Sequence, residues 1–138
     1  MTANARWVYW LAAWLFVASV VVQVFLAGLA LFAGESFQLH ALFGFTAVHV
    51  LSLLLIPLAL LSRAGRRSVW SAVALFIVVT LQVALPGLRE VVPFVAAIHP
   101  VVALLIFWLG IDVARHAGTL RGVPAANRRP AATEPAEL

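Results

Sequence analysis

The run WVYWLAAWLFVASVVVQVFLAGLALF, residues 7–32, holds 26 residues without a single charge. As a helix rising ~1.5 Å per residue it reaches ~39 Å, enough to cross a hydrocarbon core of ~30 Å with some tilt. This run decides the fold, because a stretch so long and so apolar belongs in a bilayer. Trp7, Tyr9, Trp10 and Trp14 at its start suit the headgroup interface, where amphipathic rings collect. Met1 to Arg6 could lead a secretory signal, but the run is too long and offers no convincing cleavage site. It reads as a retained helix.

Three further runs follow. Ala33-Gly34-Glu35-Ser36 makes a short turn, and Ser36 is placed to cap the second run, Phe37 to Leu61. Ser62 to Ser68, with Arg63, Arg66 and Arg67, interrupts the apolar pattern, and a third run spans Val69 to Leu85. Pro86-Gly87 ends it, and the fourth starts near Val92 with Pro93 in its first turn. The expected fold is all-α: a transmembrane four-helix bundle over residues 1–117, with helices near 7–32, 37–61, 69–85 and 92–116. From Gly118 to Leu138 the Pro/Ala/Arg/Glu sequence has no apolar periodicity and reads as a disordered tail.

The composition agrees. Hydrophobic residues make up 64% of the 138 and charged residues 10%, too few to coat a soluble domain. With no cysteine, disulfides, thiolate metal sites and thioether attachment of haem are excluded. The basic pI points to no nucleic acid, because the arginines accompany no reading module. They report topology instead. Arg6, Arg63, Arg66, Arg67, Arg115, Arg121, Arg128 and Arg129 fall on one side, and only Arg89 on the other. The positive-inside rule then places both termini and the Arg63–Arg67 loop in the cytoplasm of a bacterial cell, as a multi-pass protein of its inner membrane.

Shifting the sequence by 59 positions brings its halves into register without a gap. Val20, Gln23, Val24, Leu26, Gly28, Leu29 and His40 fall on Val79, Gln82, Val83, Leu85, Gly87, Leu88 and His99. Gln, Gly and His are rare in apolar spans, so their joint recurrence carries the signal. An internal repeat of two helical hairpins is expected, related by a pseudo-two-fold axis along the membrane normal. His40 and His99 would then face each other near the outer end of the bundle.

A histidine inside a membrane is a functional candidate by default. Facing helices of bundles build cofactor sites, and neutral imidazole ligates haem iron. Four residues after each histidine, on the same face, stands a small residue: Gly44 after His40 and Ala103 after His99. Such gaps would accommodate a flat macrocycle, and Phe25, Phe37, Phe43 and Phe107 could pack on it. Pro100, directly after His99, is expected to kink the fourth helix.

Paired hairpins with one histidine near the outer end of each second helix resemble one half of a haem A synthase. More broadly they resemble the b-type membrane cytochromes with bis-His haem. The chain also looks like a small uncharacterised four-helix bacterial membrane family, over nearly all of positions 7–117. The resemblance implies haem b, with His40 and His99 as axial ligands. In haem A synthase a Glu stands three residues before a ligand histidine and an Arg directly after it; here Phe37 and Ala41 hold those places. No catalytic residue is therefore assigned, and oxidation of a haem methyl is not expected.

The remaining polar residues are expected to be structural. His49 lies nine positions past His40, ~180° around a regular helix, and should make an interhelical hydrogen bond or meet a partner. Gln23 and Gln82 should join helices, Gly28 and Gly87 should allow close packing or end helices, and Asp112 should pair with Arg115. Arg89 and Glu90 form a solvated loop pair, and His116 sits solvated at the boundary. The leading functional expectation is an electron carrier, with the lipid bilayer and a membrane redox partner or second copy as its partners. A cofactor-free accessory subunit is the main rival, and a quinone- or small-molecule-binding carrier a third class.

Overall fold

The computed structural model describes residues 2–121, and among them there is no strand. Four helices are long and apolar enough to cross a membrane. We label them α1 (Thr2–Phe32), α2 (Phe37–Leu61), α3 (Arg66–Leu88) and α4 (Pro93–Arg121). The protein is an all-helical, multi-pass membrane bundle. α1 and α3 each pack against α2 and α4, so α2 and α4 stand on a diagonal. Four spans return the chain to the end at which it began.

Hydropathy located the spans, but the helices outrun them. α1 begins at Thr2, α3 at Arg66, and α4 continues through Gly118 to Arg121. Arginine and alanine are good helix formers, so leaving hydrocarbon does not end a helix. The proposed tail from Gly118 is thus helical over its first four positions, and the rest lies outside the described residues. Ser36 caps α2, its hydroxyl accepting from Gln38 N at 3.1 Å. At the turn before α3, Arg63 (φ 50°) and Gly65 (φ 91°) take left-handed backbone.

A narrow stripe holds the bundle together. Along α1, Tyr9, Ala13, Phe16, Val17 and Val20 recur at helical spacing and are buried against Leu55 and Ala59 of α2, Ala72, Leu75 and Val79 of α3, and Val113, Ala114 and Ala117 of α4. Small residues let backbones approach, as expected where lipid competes with helix for apolar contact. At Gly110 a Cβ would stand 2.9 Å from the Phe16 ring, so α4 passes over that ring only because position 110 has no side chain. Tyr9 belongs to this stripe, not to the interfacial belt, and is 1% exposed. Its place on the helix decides this, since Trp7 and Trp14 project to the outside. Trp7 and Trp10 also stack on Arg121, whose guanidinium carbon lies 4.1 and 3.7 Å from their ring centres.

Two backbone irregularities flank the histidines. Residues Gly44–His49 of α2 form a π-helix, which is uncommon and concentrates at functional sites. In α4 the short segment Pro93–Ala96 is separated by a turn at residues 97–98 from the long segment His99–Arg121. Pro100 therefore does not kink a continuous helix. It occupies the first turn of a new one, where its missing N–H leaves no hydrogen bond unmade.

Candidate functional site

His40 projects from the first turn of α2 and His99 from the first residue of the long segment of α4. Because α2 and α4 are diagonal, both rings reach the middle of the bundle. Their centres are 6.2 Å apart, with ring planes at 66°. Both side chains are half-buried, and Phe37 lies edge-on to His40 at 6.1 Å.

Each imidazole is fixed by the same clasp. The Nδ1–H of His40 donates to the backbone oxygen of Gln23 at 3.0 Å, and that of His99 to the backbone oxygen of Gln82 at 3.2 Å. In return each glutamine Nε2 donates to the backbone oxygen of its histidine, at 2.8 Å in both cases. The partners are 17 residues apart in both halves, joining α1 to α2 and α3 to α4. A carbonyl oxygen only accepts, so Nδ1 must carry the proton. In the neutral ring Nε2 then keeps its lone pair, the tautomer that a metal ligand needs.

The two sides differ in one respect. The Gln23 carboxamide nitrogen also lies 3.2 Å from His40 Nε2. It rests against Gly44, where a Cβ would come within 2.6 Å of it. The gap at Gly44 is thus filled by Gln23. Ala103 is partly buried on α4. The side-chain oxygens of both glutamines are sealed from solvent and have no hydrogen-bond partner.

Gln23 and Gln82 are helix-joining residues as expected, but their pairing with the histidines was missed. The common separation of 17 was the signal in the sequence that could have found it. Some of the other expectations hold and some do not. The His49 ring stacks with Phe45 at 5.5 Å and meets Phe76 of α3 edge-on at 5.2 Å, while its buried Nδ1 has no partner. The π-helix changes the rotation between positions 40 and 49, so the regular-helix argument for His49 does not hold. Gly28 is not a close-packing position, for a Cβ there would meet nothing within 4 Å; Gly87 lies in the 3₁₀ turn that ends α3. Arg89 and Glu90 form an exposed salt bridge at 2.9 Å, and Asp112 does not pair with Arg115.

The described residues hold no cluster of three or more His, Cys, Asp or Glu side chains that could bind a metal ion. Among known proteins, residues 23–88 match the model of a family of unknown function (DUF6220). This is just under half of the chain, and it takes in Gln23, His40 and Gln82. No curated protein and no solved structure matches the chain.

Proposed function

We propose that the protein is an integral membrane haem b protein that carries electrons, with His40 and His99 as axial ligands of the iron. One observation above all supports this reading: the two imidazoles stand 6.2 Å apart with each Nδ1 already committed to a backbone carbonyl. With Nδ1 protonated, each imidazole keeps its Nε2 lone pair, so His40 and His99 would be the residues to hold the iron. Two movements would be needed to admit the group: the helices would have to part between rings that now stand in edge contact, and one side chain would have to turn. The Gln23 carboxamide must turn away from His40 Nε2, a movement of a flexible side chain that Gly44 does not obstruct.

Bound there, haem would supply a one-electron couple, and two axial nitrogens would leave no open position for oxygen chemistry. The residues of the chain would do the rest. Gln23 and Gln82 hold the rings in orientation and fix their protons on Nδ1, and the apolar bundle keeps water out. The repeated clasp also supports reading the two hairpins as copies of one unit, offset by 59 positions. The arginines support a cytoplasmic placement of both termini in a bacterial inner membrane, with Glu35 and Arg89-Glu90 outside.

A second reading has its own support. The Gln23 nitrogen beside His40 Nε2 satisfies that atom without a cofactor, as in a structural or accessory subunit. A reduced-minus-oxidised absorption spectrum of detergent-purified protein, expressed with haem precursor, separates the two. The haem reading expects a Soret shift and a narrow alpha band, lost in His40→Ala and in His99→Ala. Colourless, well-folded protein would sink it in favour of the accessory reading.

A further inference from the structure

His49 has no clasp of the kind that holds His40 and His99. It stands midway between Phe37 and Leu61, the ends of α2, and so near the middle of the hydrocarbon core. The residue is partly exposed where α2 meets α3. Phe45, one turn earlier and 61% exposed, lies nearly parallel to the imidazole at 5.5 Å and 19°. Phe76 of α3 stands across it at 5.2 Å and 87°. The π-helix Gly44–His49 sets up this stack, because its wider turn brings residues four apart nearer to eclipse than the ~40° offset of a regular helix. Neither ring nitrogen has a hydrogen bond among the described residues, and Nδ1 is sealed. α2 carries no Asp, Glu, Lys or Arg, and α3 none between Val69 and Leu88, so no counter-ion is at hand.

We propose that the Phe45–His49 shelf binds a lipid-soluble quinone, its flat ring against Phe45 and one carbonyl oxygen accepting from His49 Nε2–H. A neutral imidazole has a single N–H, and with Nδ1 sealed that N–H is met from outside only when it sits on Nε2. Facing hydrocarbon, it stays costly until an acceptor reaches it. Phospholipid ester carbonyls keep to the edge of the core, ~15 Å away. A second copy apposed through the same face would bring another Nε2–H and no acceptor. An apolar molecule with a carbonyl on a flat ring supplies what is missing, and aromatic walls with a few placed polar groups are the usual lining for such ligands. The site stands whether or not His40 and His99 hold haem.

Calorimetric titration of detergent-purified protein with oxidised decylubiquinone tests the assignment. Wild-type protein should take up one molecule per chain. His49→Leu removes the donor and keeps an apolar side chain, and should weaken binding roughly 10-fold, the worth of one hydrogen bond. His49→Gln, which keeps an N–H donor, should recover part of that loss. Trp108→Leu alters an exposed aromatic on α4, at the position that the 59-residue offset pairs with His49, and should bind as wild type does. No saturable uptake by wild type, equal binding by His49→Leu, or equal loss in Trp108→Leu would each overturn the site. A dimer that His49→Leu abolishes, without quinone uptake, would overturn it in favour of a second copy. Should His49→Leu fail to fold, judged by circular dichroism, wild-type preference for decylubiquinone over decylbenzene, which has ring and tail but no carbonyl, carries the same test; indifference between the two would overturn the site.

Discussion

Gln82 and His99 hold each other twice, the glutamine side chain donating to the histidine backbone oxygen at 2.8 Å and the histidine ring donating to the glutamine backbone oxygen at 3.2 Å. Gln82 is 8% exposed, so neither bond competes with much water. The same clasp between Gln23 and His40 makes the pair a repeated device, one per hairpin. Each clasp ties two helices and orients one imidazole at once.

Replacing Gln82 with Leu removes the side-chain half of the clasp and leaves the His99 ring its carbonyl acceptor. The expected loss is about 1 kcal/mol, in line with hydrogen bonds measured between membrane helices. A lowered thermal midpoint in detergent, with the His99-dependent spectrum kept, is the anticipated result. An unchanged midpoint would mean that the bond contributes nothing net.

Gly44→Ala should act through Gln23. Its Cβ would fall 2.6 Å from the Gln23 amide nitrogen, so the carboxamide must leave and its bond to the His40 backbone goes with it. A stability loss of about 1 kcal/mol is expected. In a Gln23→Ala background the same substitution should cost much less, a coupling that a double-mutant cycle measures directly. Additive effects would show that the two positions are not in contact.

At Gly110 the steric conflict is with a ring that cannot move aside. Phe16 is fully buried, and a Cβ at position 110 would lie 2.9 Å from its edge. Gly110→Ala should destabilise by roughly 1–3 kcal/mol as overpacking. Phe16→Leu should partly rescue it. Rescue is the informative readout, read from thermal midpoints of the single and double variants.

Arg121→Gln removes the cation stacked on Trp7 and Trp10 and should cost about 0.5–1 kcal/mol. The indole emission of the pair should change at the same time, while Arg121→Lys should retain part of both effects. No emission change in Arg121→Gln would argue against the stacking.

What the sequence made legible was whatever contrasts with hydrocarbon. Charges and turns delimit the spans, and histidine and glutamine stand out against valine and leucine at a 59-residue offset. The face that a helix turns inward was far harder to read, because lipid and protein core are both apolar and select alike. Tyr9 was assigned to the interface for that reason, although Tyr9, Ala13, Phe16, Val17 and Val20 trace the buried stripe in retrospect. The glutamine–histidine clasp depends on the relative height of two helices, which composition does not encode. The π-helix at Gly44–His49 leaves no signature in apolar sequence beyond its glycine.

That π-helix has a consequence for how α2 can change over time. One surplus residue within a turn offsets everything beyond it by ~100° about the helix axis. The first third of α2 aims His40 at the bundle centre, and the second half aims Ser52, Leu55 and Ala59 at α1 and α3. The two aims are reconciled only by that offset. Deleting any one residue from 44–49 would leave the span long, apolar and fully helical, and would still force a choice between the histidine and the core. Angular phase, invisible to hydropathy, is therefore the quantity that α2 has to preserve.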